Sequence, residues 1–255
     1  MLTSKRHDDI LKLLEKNERI TTKELSECLN TSPTTIRTDL NYLESLNLIQ
    51  KFHGGAVLVK KSNSLSELVF SNREQLNHEE KNVITDEALK HIQEGQCIIL
   101  DASSTSLMLS KKLGQFRKLT VVTNGIYNML VLKDMPNINI IFIGGVVTKD
   151  SGSIEGLLGE DLVKNISADT IFFSAHGLSL SEGATDFNLY EVSLKNLMAS
   201  RAKKKVALID SSKIGNTSVA SFCKFEQINL LITDQKADKD NLQSFKQHGL
   251  AVSVV

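Results

Sequence analysis

The chain has 255 residues, with 30 Lys+Arg against 30 Asp+Glu, so its formal net charge is zero. A bulk basic field, the usual composition cue for nucleic-acid binding, is absent. With 41% hydrophobic and 24% charged residues, disorder is excluded, and the length suits one large domain or two with ample core.

The N-terminus reads MLTSKRHDDI. A basic pair followed by acids, with no long apolar run, is not a signal peptide. Ile10, Leu11, Leu13 and Leu14 then form an apolar stripe at helical spacing, and the polar run KNER ends it. Ile20 reads as a short extended residue. Thr21 or Thr22 caps a second helix, with Glu24 placed for a capping box and Leu25 and Leu29 facing inward. Asn30 ends it. Ser32 caps a third helix and Pro33 takes its first position, where the missing amide proton is harmless. Ile36, Leu40, Leu43 and Leu46 line one face of that helix. Leu48, Ile49 and Phe52, then Gly54-Gly55, then Ala56, Val57 and Val59 read as two strands across a glycine turn.

That order predicts a winged helix-turn-helix over residues 1–60, with the third helix as the DNA reader. The reader's exposed face near its N-terminus holds Ser32, Thr34, Thr35, Arg37 and Thr38. Hydroxyls and a helix N-terminus suit phosphates, and Arg37 suits a bidentate contact to guanine. Lys51 and His53 on the wing suit phosphate contacts. Any single Thr here is more simply a solvated helix residue. The run as a whole is harder to explain so, because a solvated face would carry Glu and Lys. Residues 32–61 hold four bases (Arg37, Lys51, Lys60, Lys61) and two acids (Asp39, Glu44). So weak an excess predicts binding by a homo-oligomer, a dimer or tetramer, on repeated half-sites of double-stranded operator DNA.

The stretch TTIRTDLNYLESLNLIQKFHGGAV resembles the DNA-binding module of the DeoR family of bacterial regulators of sugar metabolism. The family signature TIRRDL, then a wing ending HGGA, is matched by residues 35–40 and 53–56. Thr38 stands where the family has its second arginine.

Residues 61–75 read as a linker and 76–255 as an α/β domain. A helical pattern running from 65 to 92, with Val83, Ile84, Ala88, Leu89 and Ile92 apolar, stops at Gly95. Strands at 97–100, 119–122, 138–143, 170–174, 205–210 and 230–233 alternate with helices that carry Leu107–Leu113, 127–133 and 189–202. That alternation predicts a parallel sheet with helices on both faces. The longest apolar runs are far short of the roughly 20 residues a spanning helix needs, so a cytoplasmic protein without membrane contact is expected. Cys28, Cys97 and Cys223 are distant and odd in number, which supports neither a disulfide framework nor a metal site. They read as small buried or half-buried hydrophobes. No cofactor is expected.

Ligands of such a sheet bind at the carboxyl ends of its strands. There the sequence puts Asp101-Ala102-Ser103-Ser104-Thr105, then Thr123-Asn124-Gly125, then Gly144-Gly145, then Ser174-Ala175-His176-Gly177, then Asp210-Ser211-Ser212-Lys213. Small hydroxyl residues opening a helix offer amides and hydroxyls to an anion, and Lys213 and Lys195 add positive charge. Each piece alone has a simpler reading: a helix cap, a tight turn, a surface lysine. Their meeting at one sheet edge points to a phosphate-bearing small molecule.

This half resembles the DeoR effector domain through Phe70, Arg73, Asn77, Glu80 and Lys81, the loop at 101–105, Val121–Asn124, Gly183, Thr185, Glu191, Lys195 and 210–215. The resemblance implies a sensor with a fold similar to ribose-5-phosphate isomerase, binding a phosphorylated sugar through Asp101, Ser103, Ser104, Thr105, Thr123, Asn124, Gly144, Gly145, His176, Thr185, Glu191, Lys195 and Lys213. It implies a transcriptional regulator, a repressor of carbohydrate genes. His176 replaces the family's acid, either as a sugar-facing group or as a packed loop residue. The alternative is a sugar-phosphate isomerase with an accessory DNA module. Asp101, Glu191 and Lys213 are candidates for the carboxylate base and the electrophile it needs, but the acids expected in the 174–177 loop are missing.

Overall fold

The computed structural model describes residues 3–17, 19–45, 48–52, 54–58, 73–147 and 152–255, which fall into two compact units, 1–76 and 77–255. His53, Leu46, Val59, Phe70 and most of the expected linker lie outside the described residues.

In the first unit α1 (Thr3–Asn17), β1 (Arg19–Thr21), α2 (Thr22–Cys28), α3 (Pro33–Ser45), β2 (Ile49–Phe52) and β3 (Gly55–Leu58) form a winged helix-turn-helix. The three strands make an antiparallel sheet in the order β1-β3-β2. Thr21 is the cap of α2: its Oγ1 accepts from the Glu24 amide at 3.2 Å, while the Glu24 carboxylate accepts from the Thr21 amide at 2.7 Å. Asn30 turns the chain between α2 and α3 with φ of +46°, the left-handed region that Asn tolerates. The buried core is aliphatic: Ile10, Leu14, Ile20, Leu25, Ile36, Leu40, Leu43 and Ile49. Cys28, the last residue of α2, is exposed, contrary to the expectation that it packs as a small hydrophobe. Cys97 is half-buried, and burial pushes the Cys223 thiol up to about 11.

The glycine turn of the wing is a steric requirement. Gly54 has φ of +92°. A Cβ on Gly55 would stand 2.3 Å from the Ile20 carbonyl oxygen and 2.6 Å from the Phe52 ring. Only glycine lets β3 approach β1 this closely.

The second unit holds α4 (His78–Leu89), β4 (Cys97–Leu100), α5 (Ser104–Lys112), β5 (Leu119–Thr123), α6 (Ile126–Leu132), β6 (Ile138–Phe142), α7 (Glu160–Lys164), β7 (Ala168–Phe173), β8 (Gly177–Ser179), β9 (Gly183–Asp186), α8 (Leu189–Ser200), β10 (Ala202–Leu208), β11 (Ala220–Cys223), β12 (Leu230–Thr233), α9 (Lys239–Gln247) and β13 (Ala251–Val254). Seven strands form one parallel sheet in the order β13-β12-β10-β7-β4-β5-β6. Strands β4, β5, β7 and β12 are buried almost throughout, which is why they read as continuous apolar runs. Ile98, Leu100, Phe172 and Leu208 join one core with Ile84, Ala88 and Leu109. Their neighbours Ile99, Ile171, Phe173 and Ala207 join the other with Leu194 and Met198.

Three differences from the sequence reading stand out. Val83 is exposed on α4. Strand β13 extends the sheet by one. A separate antiparallel sheet, β11-β9-β8, stands beside the carboxyl edge. The order of the main sheet reverses between β4 and β7. A crevice opens at such a switch point, outside the carboxyl ends of the two strands.

Candidate DNA-reading helix and effector site

Helix α3 is anchored by a buried ion pair. Asp39, 3% exposed, accepts from Arg6 Nε at 2.5 Å and Nη2 at 3.0 Å, and lies 2.9 Å from His7 Nε2. Burial alone would raise the Asp39 carboxyl, but the Arg6 and His7 hydrogen bonds outweigh it and hold it below the usual range. His7 also stacks on Tyr42 at 4.8 Å. Arg6 and Asp39 therefore clamp α1 to α3, a contact that local spacing does not reveal. The Asp of the TIRRDL-like signature faces inward while Arg37 and Thr38 beside it face out.

Ser32, Thr34, Arg37 and Thr38 are exposed and Thr35 half-exposed. The Ser32 and Thr35 hydroxyls bond each other at 2.8 Å, and Ser32 Oγ accepts from the Thr35 amide at 3.2 Å. Thr38 Oγ1 donates to the Thr34 carbonyl. Arg37 makes no ion pair among the described residues. Lys51 is differently placed: its Nζ is 2.7 Å from Glu44 and donates to Asn41 at 2.7 Å. It braces the wing on α3, with a carboxylate partner already in place.

At the switch point Asp101, fully buried, is a hub. Its Oδ1 accepts from the Ser103 amide at 3.2 Å, Ser103 Oγ at 2.6 Å and Ser106 Oγ at 2.5 Å. Its Oδ2 accepts from the Ser174 amide at 3.1 Å and pairs with Lys195 Nζ at 3.0 Å. Ser103 caps α5 by accepting from the Ser106 amide at 3.1 Å. Ser104 and Thr105 open α5, where first-turn amides have no intrahelical acceptor, and Thr105 Oγ1 is buried without a partner among the described residues. Asp101 thus holds the loop so that α5 presents its N-terminus at the crevice.

Lys195, on α8, reaches in from the side. Its Nζ donates to Asp186 at 2.8 Å and to the Ser174 carbonyl at 3.0 Å. Burial opposes its charge, but Asp186, Asp101 and Glu191 together raise it well above an ordinary lysine. Burial would raise Asp186 too, yet Lys195 and His176 hold that carboxyl far below the ordinary range. His176 Nδ1 is 3.5 Å from Asp186, and its ring meets Phe187 edge-on at 4.5 Å. His176 stays partly exposed, so it is both packed and accessible. Lys213 Nζ lies 3.1 Å from Asp210 and 3.3 Å from Ser174 Oγ and is 25% exposed. Asp210 also accepts from Asn77 Nδ2 at 2.9 Å. Burial pushes the Asp210 carboxyl up, but Lys213, Ser212 and then Lys81 bring it below the usual range.

Other expected site residues are spent on the scaffold. Thr123 Oγ1 accepts from the Gly125 amide at 3.0 Å and from Asn128 at 3.1 Å. Thr185 is buried and accepts from the Ser218 amide at 2.8 Å. A Cβ on Gly145 would stand 2.6 Å from Ile154, so Gly145 is a packing glycine. Asn124 donates to the Ile154 carbonyl at 3.2 Å while its Oδ1 is buried without a partner among the described residues. Glu191 accepts from Ser153 Oγ at 2.6 Å. Ser174, Asp186, Asp210 and Asn77 join the site although the sequence reading gave them no site role. Among the described residues no group of His, Cys, Asp or Glu could hold a metal, and no helix is long and apolar enough to cross a membrane.

A winged helix-turn-helix followed by an α/β sensor is the make-up of a DNA-binding transcriptional regulator. Residues 6–62 match the DeoR-like helix-turn-helix domain and residues 76–235 the DeoR C terminal sensor domain. The chain is 47% identical over 254 residues to the HTH-type transcriptional regulator GolR of Listeria innocua, covering 100% of this chain and 99% of that one. It is 30% identical over 247 residues to a lactose phosphotransferase system repressor of Staphylococcus epidermidis, covering 94% and 96%. It is 32% identical over 248 residues to an L-fucose operon activator of Haemophilus influenzae, covering 96% and 97%. The chain belongs to the DeoR family of HTH-type transcriptional regulators. These relatives are regulators and not enzymes, which removes the isomerase alternative. A D-ribose-5-phosphate isomerase in complex with phospho-erythronic acid is similar at a TM-score of 0.42 and 18% identity over 54% of each chain.

Proposed function

We propose that the chain is a repressor of carbohydrate genes that binds operator DNA as a homo-oligomer in the cytoplasm and is released by a phosphorylated sugar. The observation that carries the ligand class is the capped N-terminus of α5 on the Asp101 loop, to which Ser174 links the partly exposed ammonium of Lys213. An anion at that N-terminus gains from the helix dipole and from charge-assisted hydrogen bonds. In this reading Ser104, Thr105, His176 and Lys213 touch the ligand. Asp101, Ser103, Thr123 and Lys195 are positioning residues that hold the strand ends in place. The sugar hydroxyls face His176, which stays partly exposed. The lactose system repressor supports the sign of control, and the fucose activator is the opposite case among the relatives.

On the DNA side Arg37 reads a base edge, while Ser32, Thr34, Thr35, Thr38 and His53 serve phosphates, with Lys51 in a lesser role. The ligand changes operator affinity only through its different affinity for two arrangements of the oligomer. Asn77 offers a path for that change. It is the first residue of the sensor unit, has φ of +52°, and holds Asp210, the partner of Lys213. A phosphate that draws Lys213 away from Asp210 alters what Asn77 is tied to.

The test is a thermal-shift screen of pentose and hexose phosphates beside the free sugars. Binding at 100 times Kd adds about 2.7 kcal/mol. The proposal expects a shift with a phosphorylated compound, absent with its free sugar and lost in Lys213→Ala. Equal shifts from free sugars would overturn the phosphate assignment.

A further inference from the structure

One edge of the main sheet carries a groove that neither the reader nor the effector site uses. Strand β13 is last in the strand order, with no strand beyond it among the described residues. The Val255 amide donates to the Thr233 carbonyl at 2.9 Å. Successive residues of a strand turn their backbone groups to opposite sides. Those of Ser253 and Ala251 therefore also face β12, and the N–H and C=O of Val252 and Val254 face outward. An edge of this kind is commonly blunted by a charge, a proline or a bulge. The sequence AVSV has no charge and no proline, and its register with β12 runs unbroken from Ala251 to Val254.

Helix α9 walls that edge. Lys239, Leu242, Gln243 and Lys246 recur at i, i+3, i+4 and i+7, which is one face of the helix. With Ala237 and Val254 they line a groove of about 350 Å³. Leu242 and Ala237 are buried and make its floor apolar, and the charged side chains that line it are both lysines. Neither lysine makes an ion pair among the described residues. The nearby acids are turned to other tasks or faces: Asp238 caps α9 by accepting from the Asn241 amide at 2.9 Å, and Asp240 lies off the stripe. The groove is separate from the effector crevice, because β12 and β10 stand between β13 and β7.

We propose that this groove binds an extended acidic segment of a partner protein, which adds to the sheet as a strand beside β13. An unpaired edge flanked by a helix is the geometry of strand addition. Main-chain bonds to Val252 and Val254 hold the segment, and every second side chain enters the groove. The lining sets the sequence pattern. Lys239 and Lys246 are seven residues apart, about 10 Å along the helix. An apolar residue over Leu242, with an acid two positions away on each side, spans about 13 Å of strand. The long lysine stems close the difference. The segment therefore reads acid-x-apolar-x-acid. Two ammoniums without a carboxylate reject a basic segment. They also set the occupant apart from a second copy of this edge, since AVSV has no acid to answer them.

The test uses the full chain and a fluorescent peptide Glu-Thr-Ile-Thr-Glu with blocked ends, beside the same peptide with Lys in place of Glu. Anisotropy should show saturable binding of the acidic peptide and none of the basic one. The double variant Lys239→Glu, Lys246→Glu should bind the acidic peptide about tenfold more weakly, or worse. Both lysines are exposed, so the variant should keep the wild-type thermal midpoint. A second measurement needs no variant: saturating peptide should slow hydrogen exchange at the Val252 and Val254 amides, read by NMR. No binding, equal binding of the two peptides, a variant that binds like the wild type, or binding without that slowing overturns the proposal. Slowing at these amides that grows with protein concentration in the absence of peptide would assign the edge to a second copy and overturn it as well.

Discussion

Replacing Lys195 by Met tests the view that it is a strut rather than a ligand contact. The change keeps length and volume but removes the ammonium. Asp101 retains its bonds from Ser103, Ser106 and Ser174. Asp186 retains the Phe187 amide and His176. Both carboxylates stay buried, and neither keeps its cation. Removing one partner of a buried pair costs about 3–5 kcal/mol, against a total of about 5–15 kcal/mol for a domain. In a domain of this size each kcal/mol moves the midpoint by about 2–4 °C, so calorimetry should show a fall of roughly 6–20 °C. The pH dependence gives a second handle. Asp186 has its folded pKa depressed, so its contribution is present above the unfolded value of about 3.9 and is lost as pH falls through the folded value. In the variant Asp186 loses its main stabilising partner and takes up a proton more readily. The gap between wild type and variant should therefore narrow below about pH 4. A fall of less than 2 °C, or a gap that stays constant on acidification, would refute the strut.

Three further outcomes follow from the DNA module. Arg37→Ala should weaken specific operator binding by about 1–3 kcal/mol, roughly 5- to 150-fold, with ligand binding unchanged; intact operator preference in a competition assay would remove Arg37 from the reader. Thr38→Arg should add about one phosphate contact and steepen the salt dependence of log K by about 0.9; an unchanged slope means position 38 does not face the backbone. Gly55→Ala should destabilise the wing by about 1–3 kcal/mol through the contact with the Ile20 carbonyl, and an unaltered DNA-module midpoint would show that β3 can move away.

The parts of this molecule written in local rules were legible. Thr21 with Glu24, Ser32 with Pro33 and the apolar spacing of α1 and α3 act within one turn of helix, and the structure matches them. Six of the seven strands of the parallel sheet were legible as continuous apolar runs, because most of them are buried on both faces. Strands β8, β9 and β11 were not. They are three or four residues long, without alternation; β8 and β9 form a short hairpin, and β11 joins them from far along the chain, Ala220 opposite Asp186. The same distance hid the site's inner wiring. Asp101 looks like a ligand contact in the sequence because it precedes a Ser-Ser-Thr cap. Beside the local Ser103 and Ser106, its partners Ser174 and Lys195 lie 73 and 94 positions away, and only the fold brings them together. Lys51 looks like a free wing cation until Glu44 is placed beside it. Cys28 defeats composition for a simpler reason: its place on α2 faces outward. The zero net charge likewise averages over both units and conceals where charge is used.

Coupling between the phosphate site and the operator grip is read by fluorescence anisotropy of labelled operator DNA, titrated with protein in the presence and absence of the phosphorylated sugar that gives the largest thermal shift. Ser104→Asp is the control, since an acid at the first helical position suits the helix dipole but repels a phosphate. The account predicts at least tenfold weaker operator binding with the sugar phosphate for the wild type, and no ligand effect on the operator affinity of the variant. Operator affinity indifferent to every phosphorylated sugar, or a Ser104→Asp protein that responds like the wild type, would contradict it.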